Sequence, residues 1–277
     1  MKLGCSIPPS FDSQQSWLDF YLKLGCKAVY FPVDYTAPKA EIEAYAQAAR
    51  ENGLAIAEVG AWSNPISKDD QTRRTSLERC KGQLALADEI GARCCVNIVG
   101  SLGEDWAAPS AEHYEPHFFA MVVDMVREIV DAVKPKRTFY TLETMQWVLP
   151  DSPESYLDII KAVDRPGFAA HFDPVNMSCT LDRYYNSGAF LERCFDILGP
   201  YIKSCHAKDL TLRNIHLIHF DEVLPGTGGI DFGAYLRGLA KLDPDTTLIV
   251  EHLQTDEQYA AAIAHIRGVA KENGIAV

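Results

Sequence analysis

Short apolar runs alternate with amphipathic stretches along the whole 277-residue chain. The runs are rich in Val, Ile, Phe and Tyr, a composition typical of strands buried on both faces of a parallel sheet. Eight of them are predicted as strands, at 3–7, 28–32, 55–59, 94–99, 138–143, 168–173, 202–206 and 248–251. Helices are predicted after them, at 13–24, 38–52, 68–90, 114–134, 153–163, 188–198, 232–241 and 255–273. Eight strands that are each followed by a helix predict a (β/α)₈ TIM barrel, with residues 1–277 forming a single domain.

The helix borders carry the residues expected of helix caps. Ser152 and Pro153 provide an N-cap and a first-turn proline before the fifth helix. Asn52-Gly53 and Asn273-Gly274 stand where two other helices are predicted to stop, because glycine readily adopts the left-handed conformation that ends a helix. The alternation therefore reflects local structure as well as hydrophobicity.

Four of the predicted strands end on a side chain that can bind a hard divalent metal. These residues are Glu143, Asp173, His206 and Glu251, at the ends of strands five to eight. Since the carboxyl ends of barrel strands face the active site, the four side chains are predicted to form one site. A set of two Glu, one Asp and one His suits a single Mn²⁺ ion, with Mg²⁺, Co²⁺ and Zn²⁺ as alternatives, and lacks the thiolates of a structural zinc site.

Such a site suggests chemistry next to a carbonyl group. A six-coordinate metal held by four protein ligands keeps room for the carbonyl and neighbouring hydroxyl oxygens of a keto sugar, and would stabilise an enediolate. Glu143 and Glu251 are then candidates for the catalytic base and acid. Proton return to the opposite face gives epimerisation, return to the other carbon gives aldose–ketose isomerisation, and loss of a β-hydroxyl gives dehydration.

Composition narrows the classes of partner. A net charge of −12 disfavours nucleic acid as a partner. No apolar run approaches transmembrane length, the amino terminus lacks a signal-peptide pattern, and the eight cysteines show no CxxC spacing. We expect a cytoplasmic protein with a small carbohydrate-like substrate and no membrane partner. The sequence is also compatible with a homo-oligomer.

Several motifs together resemble the xylose isomerase-like TIM-barrel superfamily of sugar phosphate isomerases and epimerases. They are Leu142-Glu143-Thr144, His171-Phe172-Asp173-Pro174-Val175-Asn176, His206-Ala207-Lys208-Asp209, Pro225-Gly226-Thr227-Gly228-Gly229-Ile230-Asp231-Phe232 and Val250-Glu251-His252. In the ketose 3-epimerase branch, Glu, Asp, His and Glu at the ends of strands five to eight hold the metal, and the two glutamates exchange the proton. The resemblance implies these roles for Glu143, Asp173, His206 and Glu251.

The chain departs from that branch at two substrate-binding positions. Asn176 stands where the epimerases have a histidine, and Leu212, followed by Arg213, stands where they have an arginine. The His-x-Lys-Asp form, with Lys208, is closer to the inosose dehydratase branch. The predicted function is a metal-dependent isomerase or epimerase of a small keto sugar or polyol-derived ketone. The alternative is a dehydratase of the inosose or dehydroshikimate type.

Further side chains are candidates for substrate contact. Lys208 points the same way as His206, so it either reaches the substrate or forms an ion pair with a rim carboxylate. His171, on the strand face of Asp173, is expected to donate to a carboxylate rather than bind the metal. Glu58 and Trp62 lie in and after strand three and are predicted substrate contacts.

The segment 208–229 is the least regular part of the sequence and long for a loop after a barrel strand. Its residues His216, His219 and Asp221 could hold a second metal. The alternating polar and apolar pattern of 214–221 instead favours a small hairpin.

Overall fold

Eight parallel strands form a closed barrel in the computed structural model, which describes residues 1–277. They are β1 (Lys2–Cys5), β2 (Ala28–Tyr30), β3 (Ala55–Gly60), β4 (Cys94–Asn97), β5 (Tyr140–Glu143), β6 (Phe168–Phe172), β7 (Ile202–Ala207) and β10 (Thr247–Val250). Each strand pairs with its neighbour in this order, and β1 pairs with β10 to close the sheet. The predicted barrel is confirmed.

Helices connect the strands on the outside of the barrel. They are α1 (Gln14–Lys23), α2 (Lys39–Glu51), α3 (Asp70–Ile90), α4 (Phe118–Val133), α5 (Pro153–Val163), α6 (Pro174–Met177), α7 (Leu181–Tyr185), α8 (Ser187–Leu198), α9 (Phe232–Leu239) and α10 (Asp256–Glu272). None of these helices combines the length and the apolar content needed to cross a bilayer.

The predicted caps are present. The Ser152 hydroxyl accepts a hydrogen bond from the Ser155 backbone N–H, and Pro153 is the first residue of α5. Helices α2 and α10 end at Asn52 and Asn273, each followed by a glycine with φ near +65°. Local sequence thus sets these helix ends, as expected.

The prediction misplaces the start of one helix by four residues and misses two short helices. The fourth helix begins at Phe118 instead of 114, because Pro116 favours extended backbone at Glu115, where ψ is 145°. The two short helices α6 and α7 between β6 and α8 are absent from the prediction, since neither is long enough to show a helical hydrophobic period.

The segment predicted to be an irregular loop at 208–229 contains an antiparallel hairpin. Its strands are β8 (Asp209–Leu212) and β9 (Phe220–Val223), with Asp209 opposite Val223 and Leu212 opposite Phe220. The predicted alternation at 214–221 therefore covers the tip and only the first two residues of β9. Short strands on an exposed hairpin bury too little apolar surface to show a strong sequence pattern.

Buried tyrosines fix the carboxyl ends of the barrel strands. The Tyr156 hydroxyl, from α5, accepts hydrogen bonds from the backbone N–H groups of Leu142 and His171, at 3.0 and 3.1 Å. The Tyr235 hydroxyl, from α9, donates to the backbone carbonyl of His206 at 2.8 Å. These contacts hold β5, β6 and β7 in register beside the predicted site.

Candidate metal centre

The four side chains predicted to bind metal meet at the carboxyl end of the barrel. One donor atom from each of Glu143, Asp173, His206 and Glu251 lies within 4.8 Å of the other three, and all four residues are buried. Glu143 ends β5, His206 lies near the end of β7, and Asp173 and Glu251 directly follow β6 and β10. Parallel strands in one closed sheet bring their ends to the same rim, which is why distant residues converge here.

The His206 imidazole is at the centre of this group. Its Nδ1 lies 2.7 Å from Oε1 of Glu251, 3.1 Å from Oε1 of Glu143 and 3.7 Å from Oδ2 of Asp173. Its Nε2 lies 3.3 Å from Oε2 of Glu58, deeper in the barrel. The ring therefore presents Nδ1 to the three carboxylates while Nε2 can donate to a fourth.

Glu58 lies in the barrel interior and does not line the cavity above the carboxylates. It is fully buried, and its Oε1 accepts a hydrogen bond from the Ser204 hydroxyl at 2.6 Å. Ser204 in turn accepts from the Thr247 hydroxyl at 2.9 Å. This chain of polar contacts fixes the Glu58 carboxylate against His206, an arrangement that orients histidine ligands in metal sites.

Lys208 forms the ion pairs with rim carboxylates that its sequence position suggested, and it also lines the cavity. Its Nζ lies 2.7 Å from Oε1 of Glu251, 2.8 Å from Oδ2 of Asp173 and 3.4 Å from Oε1 of Glu143. The residue is only 3 % exposed, yet it also lines the cavity above the carboxylates. It is thus an ion-pair partner of the group and a wall of the cavity.

Burial and opposite charges compete in setting the pKa values. Burial raises the pKa of Glu143 above its usual range despite the nearby Lys208 and His206 cations. Burial also favours the neutral form of Glu251, but His206 and Lys208 outweigh it and hold the Glu251 pKa below its usual range. Burial would lower the pKa of Lys208, yet the surrounding carboxylates, led by that of Asp173, hold it well above the usual value. The charged forms of Glu251 and Lys208 are thus stabilised, whereas burial outweighs the nearby cations at Glu143.

The donor set fits a divalent cation. Oδ2 of Asp173 and Oε1 of Glu251 are buried oxygens that accept no well-aligned hydrogen bond, although the Lys208 ammonium is near both. Their close contacts are to the basic groups of Lys208 and His206, so both oxygens face the centre of the group. Three carboxylates and one imidazole match the preferences of Mn²⁺, Mg²⁺, Co²⁺ or Zn²⁺, so these residues could hold such an ion.

The His171 ring lies beside this group, but the predicted hydrogen bond from it to a carboxylate is absent. Both of its ring nitrogens are buried and unpartnered, and its Nδ1 is 3.7 Å from Oε1 of Glu58. Burial, reinforced by the His206 charge, lowers the pKa of His171 to about 4. The ring packs edge-on against the His206 ring, with centroids 4.1 Å apart. Glu58, His171 and His206 form a second group with metal-ligand geometry, below the first.

A cavity of about 530 Å³ opens above the carboxylates. Its lining residues are Ser6, Ile7, Tyr30, Trp62, Ile98, Trp106, Glu143, Met145, Asn176, Lys208, Glu222, Glu251 and His252. The predicted contacts Trp62 and Asn176 are among them. Trp62 donates through Nε1 to the Tyr30 hydroxyl at 2.8 Å, and Asn176 donates through Nδ2 to Oε1 of Glu143 at 3.1 Å.

The fold and the rim geometry agree with a family comparison. A family model described as "Xylose isomerase-like TIM barrel" matches residues 18–269. This chain belongs to the xylose isomerase-like TIM-barrel family. Comparison with curated protein sequences gives no significant match. Membership therefore establishes the barrel and its family, while the reaction has to be argued from the site.

Solved structures of xylose isomerase-like barrels superpose over nearly the whole chain. A D-psicose 3-epimerase solved in the presence of D-fructose shares 16% identity with a TM-score of 0.73, covering 97% of this chain and 99% of that one. A xylose isomerase-like protein from Mycobacterium smegmatis in complex with magnesium shares 15% identity with a TM-score of 0.70, covering 98% of this chain and 97% of that one. The "probable 3-DHS dehydratase" of Bacillus anthracis shares 16% identity with a TM-score of 0.73, covering 96% of this chain and 98% of that one.

Arg213 does not line the cavity of this xylose isomerase-like barrel. It lies at the exposed tip of the hairpin, where its guanidinium forms an ion pair with Asp221, with Nη2 2.8 Å from Oδ1. His219 also contacts Asp221, at 3.2 Å, whereas His216 is exposed beside them. The favoured hairpin interpretation of this segment is confirmed.

Tyr30 and Glu222 are among the cavity residues that the sequence prediction does not include. Tyr30 ends β2, so its position at a strand's carboxyl end was the signal that could have identified it. Glu222 lies on β9 and reaches the cavity only because the hairpin folds over the rim, where its carboxylate contacts Nδ1 of His252 at 3.1 Å. No spacing in the sequence indicates that Glu222 would contact His252.

Proposed function

We propose that this protein is a divalent-metal-dependent isomerase or epimerase of a small keto sugar or a polyol-derived ketone. The observation that carries the proposal is the convergence of Glu143, Asp173, His206 and Glu251 at the floor of an open cavity. Sugar epimerases are among the solved structures that superpose on this chain, which supports the same class of reaction. Mn²⁺ is the proposed metal, with Mg²⁺ as an alternative that a magnesium-containing neighbour supports.

The four residues would hold the metal through three carboxylates and Nδ1 of His206. When bound there, the ion would polarise a substrate carbonyl and stabilise negative charge on its oxygen. Glu58 would keep the His206 ring in the orientation that presents Nδ1, since its carboxylate lies 3.3 Å from Nε2.

Glu143 and Glu251 are the proposed proton-transfer groups. They belong to β5 and to the end of β10, the outer two strands of the β5-β6-β7-β10 part of the barrel, with Asp173 and His206 between them. Both line the cavity, so each can approach a bound carbon from a different side. Asn176 donates to Glu143 and would hold that carboxylate in place.

Hydrogen exchange with solvent tests this proposal. Purified protein loaded with Mn²⁺ is incubated in D₂O with a panel of free ketoses, and products are followed by NMR. Deuterium at the carbon next to the carbonyl of a recovered ketose or its epimer is the expected result. Glu143→Gln and Glu251→Gln should abolish exchange, whereas Glu112→Gln, at an exposed position, should not. Absence of exchange with every ketose would contradict the proposal.

A dehydratase is the second candidate, because the buried Lys208 ammonium can donate a proton at the cavity wall. A dehydratase from Bacillus anthracis is also among the superposing structures. Under this alternative, the same incubations would yield an unsaturated ketone absorbing in the ultraviolet instead of a deuterated epimer. Lys208→Met would then abolish the absorbance change.

A further inference from the structure

The charged groups that line the cavity leave no free cation for an anionic substrate. The carboxylates of Glu143, Glu222 and Glu251 line it, and that of Asp173 lies directly behind Lys208. Lys208 and His252 are the only basic side chains in the lining, and no arginine contributes. Four carboxylates thus face two basic groups. His206 would be neutral as a metal ligand, so a divalent cation would bring the region close to neutrality and no further.

Both basic groups already have carboxylate partners. The Lys208 ammonium is within 3.4 Å of three carboxylate oxygens, and two of these contacts are 2.8 Å or shorter. Nδ1 of His252 lies 3.1 Å from each oxygen of Glu222. A phosphate or carboxylate entering the cavity would have to displace one of these partners and leave it near another negative charge.

Two other sets of basic residues lie away from this cavity. Arg213 forms its ion pair with Asp221 at the hairpin tip. Lys161, Arg165 and Lys203 line a separate cavity beside the residues that precede β5, β6 and β7, which is the opposite end of the barrel. Neither Arg213 nor the basic residues at the opposite end of the barrel can reach a ligand held at the candidate metal centre.

The remaining polar groups of the cavity are neutral. The Tyr30 hydroxyl accepts a hydrogen bond from Trp62, which leaves its own proton available for a ligand oxygen. Asn176 uses its amide nitrogen on Glu143, and its amide oxygen remains an acceptor. Ile7, Ile98 and Trp106 complete a wall that suits the C–H face of a sugar or cyclitol ring.

We infer that the cavity takes a neutral polyhydroxy ketone, either a free ketose or a cyclic polyol ketone, and selects against phosphorylated and carboxylated analogues. This inference rests on the proposed function and names the substrate class of the same site. It also separates the two dehydratase types considered above, because an inosose is neutral whereas dehydroshikimate carries a carboxylate. A dehydratase built on this cavity would therefore act on the inosose type.

Neutral ligands and related anionic ligands test the inference by binding. Mn²⁺-loaded protein, dialysed to remove free metal, is titrated with D-fructose and D-fructose 6-phosphate, with several other free ketoses and their phosphate esters, and with scyllo-inosose and 3-dehydroshikimate. Quenching of tryptophan fluorescence reports binding, since Trp62 and Trp106 line the cavity. Neutral compounds should bind at least about tenfold more tightly than the related anions, because the negative charge of an anion would lie uncompensated near the carboxylates of the cavity.

A charge-removing variant provides the matched control. Glu222→Gln removes one carboxylate from the cavity mouth. It should strengthen binding of the phosphate esters and so reduce the ratio of affinities between neutral and anionic ligands. Asp221→Asn makes the same charge change one residue earlier, outside the cavity lining, and should leave the preference as it is. An unchanged preference in Glu222→Gln would count against the inference, because the carboxylates of the cavity would then not cause the selection against anions.

Two outcomes would overturn the inference. One is that a phosphate ester or 3-dehydroshikimate binds as tightly as its neutral partner, and the other is that no neutral compound of the panel binds. Measuring deuterium exchange shows whether the inference fails, the proposed function fails, or both fail. Exchange into an anionic substrate would retain the function and reject the inference, whereas neutral-selective binding without any exchange would retain the inference and reject the function.

Discussion

Nε2 of His206 lies 3.3 Å from Oε2 of the fully buried Glu58, on the side of the ring opposite the carboxylates that face Nδ1. A histidine ligand whose second nitrogen donates to a carboxylate is held in one tautomer and one orientation. Glu58 is therefore best described as a residue that positions His206, rather than as a contact for substrate.

Replacing Glu58 should weaken metal binding without removing any ligand. We expect Glu58→Gln to lower the affinity for Mn²⁺ by about 10–100-fold, because the neutral amide holds the His206 ring less firmly. Calorimetric titration of metal-free protein measures this change directly. Glu257→Gln, an exposed substitution on α10, should bind Mn²⁺ as the wild type does. Equal affinities in the two variants would exclude the positioning role.

Removal of Lys208 should make folding depend more strongly on metal. Lys208→Met leaves three buried carboxylates without their ammonium partner, which should cost about 3–5 kcal/mol in metal-free protein. Added Mn²⁺ should restore much of this loss, so its effect on Tm should be larger than in the wild type. Lys81→Met removes two surface ion pairs and should change Tm little. A Mn²⁺ effect no larger than that of the wild type would contradict the prediction.

Gly60 leaves room for the aromatic pair at the cavity wall. A Cβ atom there would lie 1.9 Å from the Tyr30 hydroxyl and 2.3 Å from Nε1 of Trp62. Gly60→Ala should therefore displace this pair, cost about 1–3 kcal/mol of stability and weaken ligand binding. Gly268→Ala is the control, since no atom lies within 4 Å of the added methyl group. Denaturant unfolding and fluorescence titration would reveal the difference, and identical behaviour of the variants would refute it.

The buried His113 should make stability fall in mild acid. Its Nε2 accepts a hydrogen bond from the Leu102 N–H at 3.1 Å, while Nδ1 lies 3.2 Å from the Trp147 carbonyl, which requires the neutral ring. Burial lowers the His113 pKa, although the Trp147 carbonyl and Glu112 oppose the shift. A lowered pKa means that the contribution to stability is complete above the unfolded-state value of about 6.5 and is lost as pH falls through the folded-state value.

His113→Phe should therefore be less stable than the wild type at pH 8, by about 1–3 kcal/mol, because two backbone groups lose their partner. Its stability should also fall less between pH 7 and pH 5 than that of the wild type. The buried His171 contributes a pH dependence of the same sign in both proteins. His216→Phe, at an exposed position, should retain the wild-type profile. Parallel profiles for His113→Phe and the wild type would rule out this assignment.

Most of the fold follows from the sequence because strand alternation and helix caps are local signals. The four candidate ligands were also predictable, since each ends a strand and parallel strands share one rim. The sequence predicts which side chains reach that rim but not how they pair. The Lys208 ion pairs and the Glu58 contact with His206 depend on side-chain directions inside a closed barrel.

The hairpin over the rim shows why other parts could not be predicted. Its strands β8 and β9 are short and partly exposed, so they lack a strong apolar pattern. Their pairing sends Arg213 outward to Asp221 and brings Glu222 inward to His252. A register shift of one residue would exchange these directions, and sequence spacing does not determine the register.

The stoichiometry of metal binding tests the account most directly. Metal-free protein is titrated with Mn²⁺ by calorimetry, beside Asp173→Asn and His206→Ala. We predict one ion per chain in the wild type, and loss of this binding in both variants while their circular dichroism spectra remain those of a folded barrel. A wild type that binds no Mn²⁺, Mg²⁺, Co²⁺ or Zn²⁺, or variants that bind as the wild type does, would contradict the account.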